Sequence, residues 1–328
     1  MSQELTKYEQ EALEAIVKWR AQPPGRIAAY LGKATRVIEK PTELLMDRTL
    51  VGKVVKGILE VAMDAGSWTV NDDRVVEAFV SRGVEVNSFE DIRTSVRLKD
   101  KDRMAARIAK GYRWGMGAEG AAAGAGSLGG PGVGAAALAA DITALTTVAC
   151  RAAAHHAAVY GYRVETPAER ALALAVLNGA TSPTDLAKQT ALANITKIST
   201  AIAKKKTWET LESFALVKVI QEAAEKLGVN LTKAKLAQVV AVIGVVIGGG
   251  YNAWYMTRVC EWSYWIYREH ALHDKQAGFR HVDEDVAAPD TGTPTEAPID
   301  AEPPDVEVVE QLAADDEDEG GAGEQRAA

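Results

Sequence analysis

The chain has 328 residues, 47% of them hydrophobic and 25% charged, which is enough to bury one large core or two modest ones and excludes a chain that is disordered throughout. Its net charge of −8 is unevenly placed: from Asp283 to the end there are 16 acidic residues against one basic, Arg326, so residues 1–282 carry +7. Cys150 and Cys260 stand far apart in apolar helical patterns, without CxxC or Cys/His spacing, and MSQELTKYEQEALEAI has no apolar stretch of the secretory kind. Both features fit a reducing cytoplasm better than an exported disulfide scaffold.

Taken in order, the elements read as helices. Leu5, Tyr8, Ala12, Leu13, Ile16 and Trp19 recur at helical spacing until Pro23-Pro24 stops the pattern. Gly25 to Glu39 reads as a second short helix, and Pro41 opens a third with Leu44, Leu45, Val51, Val54, Val55, Ile58 and Val61 as its apolar face. Asn71 is an N-cap for a helix that stops at Gly83, and Ser88 with Asp91 forms a capping box. Trp68–Val70 and Gly83–Val86 are short extended candidates. A basic helix is predicted over Arg93–Arg113, then a long helix carrying Asp141 after Pro131. Helices opened by Pro167 and Pro183 follow, and then helices over Trp208–Leu227, Thr232 to about Gly248, and Tyr251 to about Ala277. The fold class is therefore all-α: a multi-helix body, residues 1–280, with Gly/Ala-rich close-packed helices. Residues 281–328, rich in Pro, Gly, Asp and Glu, read as a disordered acidic tail.

Two uncharged runs stand out, one rich in glycine and alanine after Glu119 and a second over Leu236–Thr257. The second, as helix, would reach about 33 Å, comparable with a hydrocarbon core of about 30 Å, but its four glycines, Gln238 and Asn252 weaken insertion. Gly120-xxx-Gly124 and Gly244-xxx-Gly248 place small residues one turn apart, so neighbouring helices can approach closely. This pattern fits either a glycine-seamed soluble core or a helical region that dips into lipid or receives an acyl chain. Gly124–Gly129 formally matches GxGxxG, but an alanine-rich helix precedes it and Asp141 follows too soon for a dinucleotide fold.

Basic residues flank both runs. Arg103, Arg107, Lys110 and Arg113 precede the first, Lys233 and Lys235 the second, and Lys204, Lys205 and Lys206 form a further cluster. Held near an anionic leaflet, each such side chain contributes about 1 kcal/mol; the alternative is an ordinary solvated helix face. Tyr251, Trp254, Tyr255, Trp262, Tyr264, Trp265 and Tyr267 crowd the last helix, with Trp254 and Trp262 candidates for a bilayer interface and core packing the alternative.

In the helix that carries Asp141, His156 falls on the apolar stripe, and Asp141, Val148, Arg151 and His155 lie along its edge. Asp141 and Arg151 are about 15 Å apart along the axis and need partners elsewhere, Glu119 being the natural one for Arg151. Glu119, Asp141, Arg151 and His155 are thus candidates for a buried ion-pair network or, as an alternative, an acid/base site. His270-xx-His273 lacks further ligands nearby, so no metal is expected. Nor are a cofactor, a nucleotide or a nucleic-acid partner.

An ordered set of residues resembles the EcsC protein family: Tyr8-Glu9, Leu13, Trp19 and Pro23-Pro24; then Leu98, Asp102, Ala105 and Ala118-Glu119-Gly120; then Asp141-Ile142, Leu145, Arg151, Tyr160-Gly161-Tyr162 and Glu169. Gly244, Gly248 to Gly250, Asn252 and the helix ending YWIYRE complete the set, which spans about residues 5–278. The resemblance implies a bacterial helical protein, cytoplasmic or peripheral to the membrane, with no particular reaction attached. The family is named after a protein encoded beside an ABC-transporter pair, so a transporter is an implied partner; the acidic tail is not part of the family pattern. The leading expectation is a non-enzymatic protein that associates reversibly with the inner membrane face through anionic lipid or a membrane protein. The alternatives are a soluble module serving an ABC transporter and an enzyme. The tail either competes with an anionic surface for the basic body or merely solubilises it.

Overall fold

The computed structural model describes residues 4–25, 48–126, 135–203, 213–239 and 250–276, and among them the regular structure is helical, with no strand. Helix α1 (Lys7–Ala21) starts with a capping box in which Thr6 accepts from the Glu9 amide and the Glu9 carboxylate accepts from the Thr6 amide at 2.8 Å. It stops at Gln22, ahead of the two prolines. Helix α2 (Arg48–Met63) buries Leu50, Val54, Ile58 and Val61. The helix expected over Gly25–Glu39 and the Pro41 opening lie outside the described residues.

A 3-10 turn, Ala65–Trp68, follows, capped by Asp64; the Trp68 indole donates to the Ala62 carbonyl at 3.1 Å inside the core. Trp68–Val70 is therefore a helical turn and a link rather than a strand. Asn71 caps α3 (Asp72–Val80) as expected, and Gly83 follows it in the left-handed region at φ 73°, with Val84–Val86 a link that pairs with no strand.

Ser88 and Asp91 cap α4 (Phe89–Thr94) reciprocally. The single basic helix expected over Arg93–Arg113 is broken here. The amides of Ser95 and Val96 both fold back on the Asp91 carbonyl, at 2.8 and 3.2 Å, with Val96 buried, and α5 (Leu98–Gly126) begins afresh.

Helix α6 (Ala135–Val159) carries Asp141, and α7 (Pro167–Ala180) has Pro167 in its first turn behind a Thr166–Glu169 capping box. In α8 (Asp185–Ala203) the Thr184 hydroxyl accepts from the Ala187 amide, so Pro183 stands before the cap and not at the first helical position. Two helices were expected on either side of Thr232, yet α9 (Ser213–Val239) runs through. Gly228 does not interrupt it; a Cβ there would come to 3.0 Å from Val55 of α2, so this glycine serves a close approach. The last helix is α10 (Gly250–Gln276).

Helix α10 packs against α1, α5, α6 and α7, while α2 lies on α6 and α9, and α7 on α8 and α9. The C-terminal half of α6 is apolar almost all round, with Ala152, Ala153, Ala154, Ala157, Ala158 and Val159 buried, as an interior helix must be. Small residues set the tightest seams: a Cβ on Gly57 would sit 2.3 Å from the Thr143 hydroxyl, and one on Gly179 would sit 2.2 Å from the Trp262 ring. The glycines singled out from the sequence do not supply these seams. Gly120 and Gly124 are helical within α5, with surroundings outside the described residues, and Gly244 and Gly248 lie outside them altogether.

The first and last described helices close on each other. Trp19 meets Trp262 edge-on at 5.3 Å and stacks on Trp265 at 5.7 Å, and its indole donates to Glu261 at 3.2 Å. Arg20 pairs with Glu269 at 2.6 Å, and Lys275 with Glu9 at 2.7 Å.

His156 is fully buried on the apolar stripe of α6, its Nδ1–H donating to the Ala152 carbonyl at 2.8 Å. Burial pushes its imidazole down to about 4, against the pull of that carbonyl. The unfolded chain takes up a proton near pH 6.5 and the folded one does not. The stability this group contributes is thus complete above pH 6.5 and is lost as pH falls towards 4. Urea midpoints of the wild type and His156→Met, compared at pH 7 and pH 4.5, are expected to differ by about 2–3 kcal/mol in their acid loss, with the variant losing less. Equal acid losses would show that His156 is not held neutral.

Candidate functional site

Helix α5 is two-faced. Leu98, Lys101, Asp102, Met104 and Ala105 are buried, whereas Lys99, Arg103, Arg107, Lys110 and Arg113 are exposed at spacings of four, four, three and three, which puts them on one side of the helix. Asp100 balances Arg103 at 3.5 Å and Arg97 at 2.8 Å. The stripe is therefore a strip of positive charge about 21 Å long.

The adjoining wall of α5 lines a cavity of about 440 Å³ between α3, α5 and α6. Val75 and Ala78 come from α3, Met104, Ile108, Gly111 and Tyr112 from α5, and Val148, His155 and Val159 from α6, with Arg74 also at its edge. Gly111 stands one helical turn from Arg107, so the cavity wall and the basic stripe adjoin. The volume falls within the roughly 300–1,000 Å³ of small-molecule sites.

The polar groups inside are few. The Tyr112 hydroxyl is hydrogen-bonded to His155 Nδ1. Burial, with the Arg151 charge adding to it, lowers the His155 imidazole from its usual range, and burial raises the Tyr112 phenol, so both are neutral at pH 7. No carboxylate lines this cavity among the described residues. With Arg74 at its edge, it is a largely apolar chamber with one neutral hydrogen-bonded pair, suited to a hydrocarbon chain.

Of the four acid/base candidates, Asp141 is kept apart from His155, and the expected pairing of Arg151 with Glu119 falls on a side chain outside the described residues. Asp141 pairs with Lys235 of α9 at 2.7 Å, Arg151 is exposed, His155 lines the cavity, and the Glu119 side chain lies outside the described residues. Asp141 and His155 are separated by about 21 Å along α6.

Two of the membrane-contact candidates are corrected. Lys235 is 7% exposed, held by Asp141 and by Asn252 at 2.6 Å, because its register on α9 turns it towards α6 and α10. Trp262 is fully buried against Gly179 and Trp19, because the glycine opens a slot that the ring fills. Trp254 and Lys233 are half-buried, Trp254 tilted on Tyr251 at 5.5 Å. Lys204, Lys205 and Lys206 lie outside the described residues. His270 packs edge-on to Tyr162, and no group of three or more metal-ligating side chains occurs among the described residues. Both cysteines are free and buried.

Sequence reasoning missed the main buried ion pair. Asp102 accepts from Tyr8 at 2.7 Å, from Tyr160 at 2.7 Å, and from Arg268 Nε and Nη2 at 3.0 and 2.8 Å, both charged side chains being 7% exposed. Burial, with the Asp102 charge adding to it, raises the Tyr160 phenol well above its usual range. Four donors leave this carboxylate little capacity for a substrate, so the cluster is a clamp that ties α1, α5, α6 and α10 together. The signal was present: Leu98, Lys101, Asp102 and Ala105 share one helical register, which places two charges on a face that must be buried.

Compared with known proteins, residues 10–272 match the EcsC protein family. No curated protein and no solved structure matches the chain. The match includes Asp102, Tyr160 and Arg268 of the clamp and every residue of the apolar cavity. With most of its length matched, the chain belongs to the EcsC protein family.

Proposed function

We propose that this protein is a peripheral lipid-binding protein that takes the acyl chain of an anionic lipid into the cavity between α3, α5 and α6. The carrying observation is the juxtaposition on one helix: α5 supplies the wall of an apolar chamber and, beside it, the exposed stripe of Lys99, Arg103, Arg107, Lys110 and Arg113. Each buried methylene contributes about 0.8 kcal/mol and each basic side chain at an anionic surface about 1 kcal/mol, so a half-inserted chain and a few lysines or arginines suffice for reversible binding. No helix among the described residues is long and apolar enough to cross a membrane.

Flotation with vesicles of phosphatidylglycerol and phosphatidylcholine tests the reading. Binding is expected at low salt, with release at high salt as the basic stripe is screened. Nothing lies within 4 Å of a Cβ on Gly111, so Gly111→Phe projects into open cavity space and is expected to fold normally while losing uptake of a fluorescent fatty acid. Arg107→Glu with Lys110→Glu is expected to lose vesicle binding instead. Equal binding to neutral vesicles, or undiminished fatty-acid uptake by Gly111→Phe, would overturn the reading. A module directed only at a membrane protein such as an ABC transporter would ignore protein-free vesicles of either kind.

A further inference from the structure

A second cavity, of about 270 Å³, lies where the start of α1, the link between α4 and α5, and the end of α10 meet. Five cations line it, Arg93, Arg97, Lys99, Lys101 and Lys275, against one carboxylate, Glu9. Three of the five are already neutralised: Lys275 by Glu9 at 2.7 and 2.8 Å, Arg97 by Asp100 at 2.8 Å, and Arg93 by Asp274.

Lys99 and Lys101 are not. Lys99 is exposed and makes no ion pair among the described residues. Lys101 is 4% exposed, and its ammonium donates only to the Arg93 carbonyl, at 3.1 Å. The three carboxylates near enough to act on it are each committed elsewhere: Asp102 to Arg268 and two tyrosines, Asp274 to Arg93 and Tyr162, and Glu9 to Lys275. A buried ammonium without a counter-charge is costly, and here burial and the nearby Arg93 guanidinium push Lys101 down to about 8. Leu98 and Lys99, in the first turn of α5, line the same wall, and the amides of a helix's first turn have no acceptor within the helix.

We propose that this cavity binds a phosphomonoester-type dianion, with Lys101 and Lys99 as its principal charge partners. Two unmatched ammonium groups call for two negative charges, which a carboxylate does not supply and a phosphate does. A tetrahedral oxyanion also offers enough acceptors for the two lysines, Arg97 and the helix amides at once. The same chemistry is offered by a soluble phosphate and by the headgroup of phosphatidic acid. The site does not involve the acyl-chain cavity, but it shares Lys99 with the basic stripe beside that cavity, so titration with soluble phosphate, which needs no membrane, keeps the two readings apart.

The test is titration of the full-length protein with inorganic phosphate, read by calorimetry and by the rise in melting temperature, for the wild type, Lys101→Met, Lys99→Glu and Gly111→Phe. Saturable binding is expected for the wild type, weakened at least tenfold in both lysine variants and unchanged in Gly111→Phe. Lys99 is exposed, so Lys99→Glu decides the matter even where Lys101→Met fails to fold. Flotation with phosphatidic-acid and phosphatidylglycerol vesicles separates the sources. A preference for phosphatidic acid that phosphate competes away and Lys99→Glu abolishes assigns the headgroup, whereas phosphate binding without that preference assigns a soluble phosphate. No saturable binding of either, or binding that both lysine variants retain in full, would overturn the proposal.

Discussion

Asp102→Ala is expected to destabilise the protein by about 3–5 kcal/mol, the cost of leaving a buried charge without its partner. Arg268 is 7% exposed at its side chain and pairs with Asp102 through both Nε and Nη2. Its guanidinium otherwise rests on the rings of Tyr8, Tyr264 and Trp265, at 5.3 to 5.8 Å, which soften the penalty without supplying a counter-charge. The same substitution strands the hydroxyls of Tyr8 and Tyr160, whereas Tyr8→Phe alone removes one hydrogen bond and is expected to cost about 1 kcal/mol. Urea unfolding of these variants gives the comparison directly. The double variant Asp102→Leu with Arg268→Met is expected to recover much of the loss, since two apolar chains do not need each other's charge. A loss below 1 kcal/mol in Asp102→Ala would show that water reaches Arg268 and that the clamp is not buried in solution.

Gly161→Ala is the second large effect, about 2–5 kcal/mol. Gly161 ends α6 at φ 86°, where a side chain costs about 1–2 kcal/mol from backbone geometry alone. A Cβ there would also stand 2.6 Å from the amide nitrogen of Arg93 and 2.7 Å from its Cα. Backbone cannot rotate aside as a side chain can, so the overpacking adds about 1–3 kcal/mol. The strain also reaches Asp274, which holds both the Tyr162 hydroxyl, at 2.8 Å, and Arg93. Gly83 is the internal control. Its φ is 73°, yet nothing lies within 4 Å of its Cβ, so Gly83→Ala is expected to lose only the geometric part. Equal losses in the two variants would mean that the contact with Arg93 gives way.

The contrast between those glycines marks how far the sequence could be read. Caps were legible because their partners lie within four residues: Asn71, and Ser88 with Asp91. The break between α4 and α5 was not, because nothing in Arg93–Arg113 before Gly111 is glycine or proline, and the stop comes from two amides converging on one carbonyl. The continuity of α9 through Gly228 likewise depends on Val55, far away in sequence. The basic stripe of α5 was legible from its composition, and its two-sidedness from the register of Leu98, Asp102 and Ala105. The apolar cavity was not, since Val75, Ile108 and His155 meet only when three helices pack. Residue type and position beside an uncharged run misassigned Trp262 and Lys235, because neither says which neighbour covers the side chain.

The closure of α1 onto α10 sets a timetable for biosynthesis. Glu9 and Lys275 are 266 residues apart, and at about 5–20 residues per second a ribosome needs roughly 13–53 s to make the second after the first. Throughout that interval Trp19 lacks the rings of Trp262 and Trp265 that cover it, since these have not emerged from the exit tunnel. Helix α1 is therefore a nascent amphipathic segment waiting on a helix made long after it. A ribosome stalled before codon 262 presents it to whatever chaperone or bilayer is nearest.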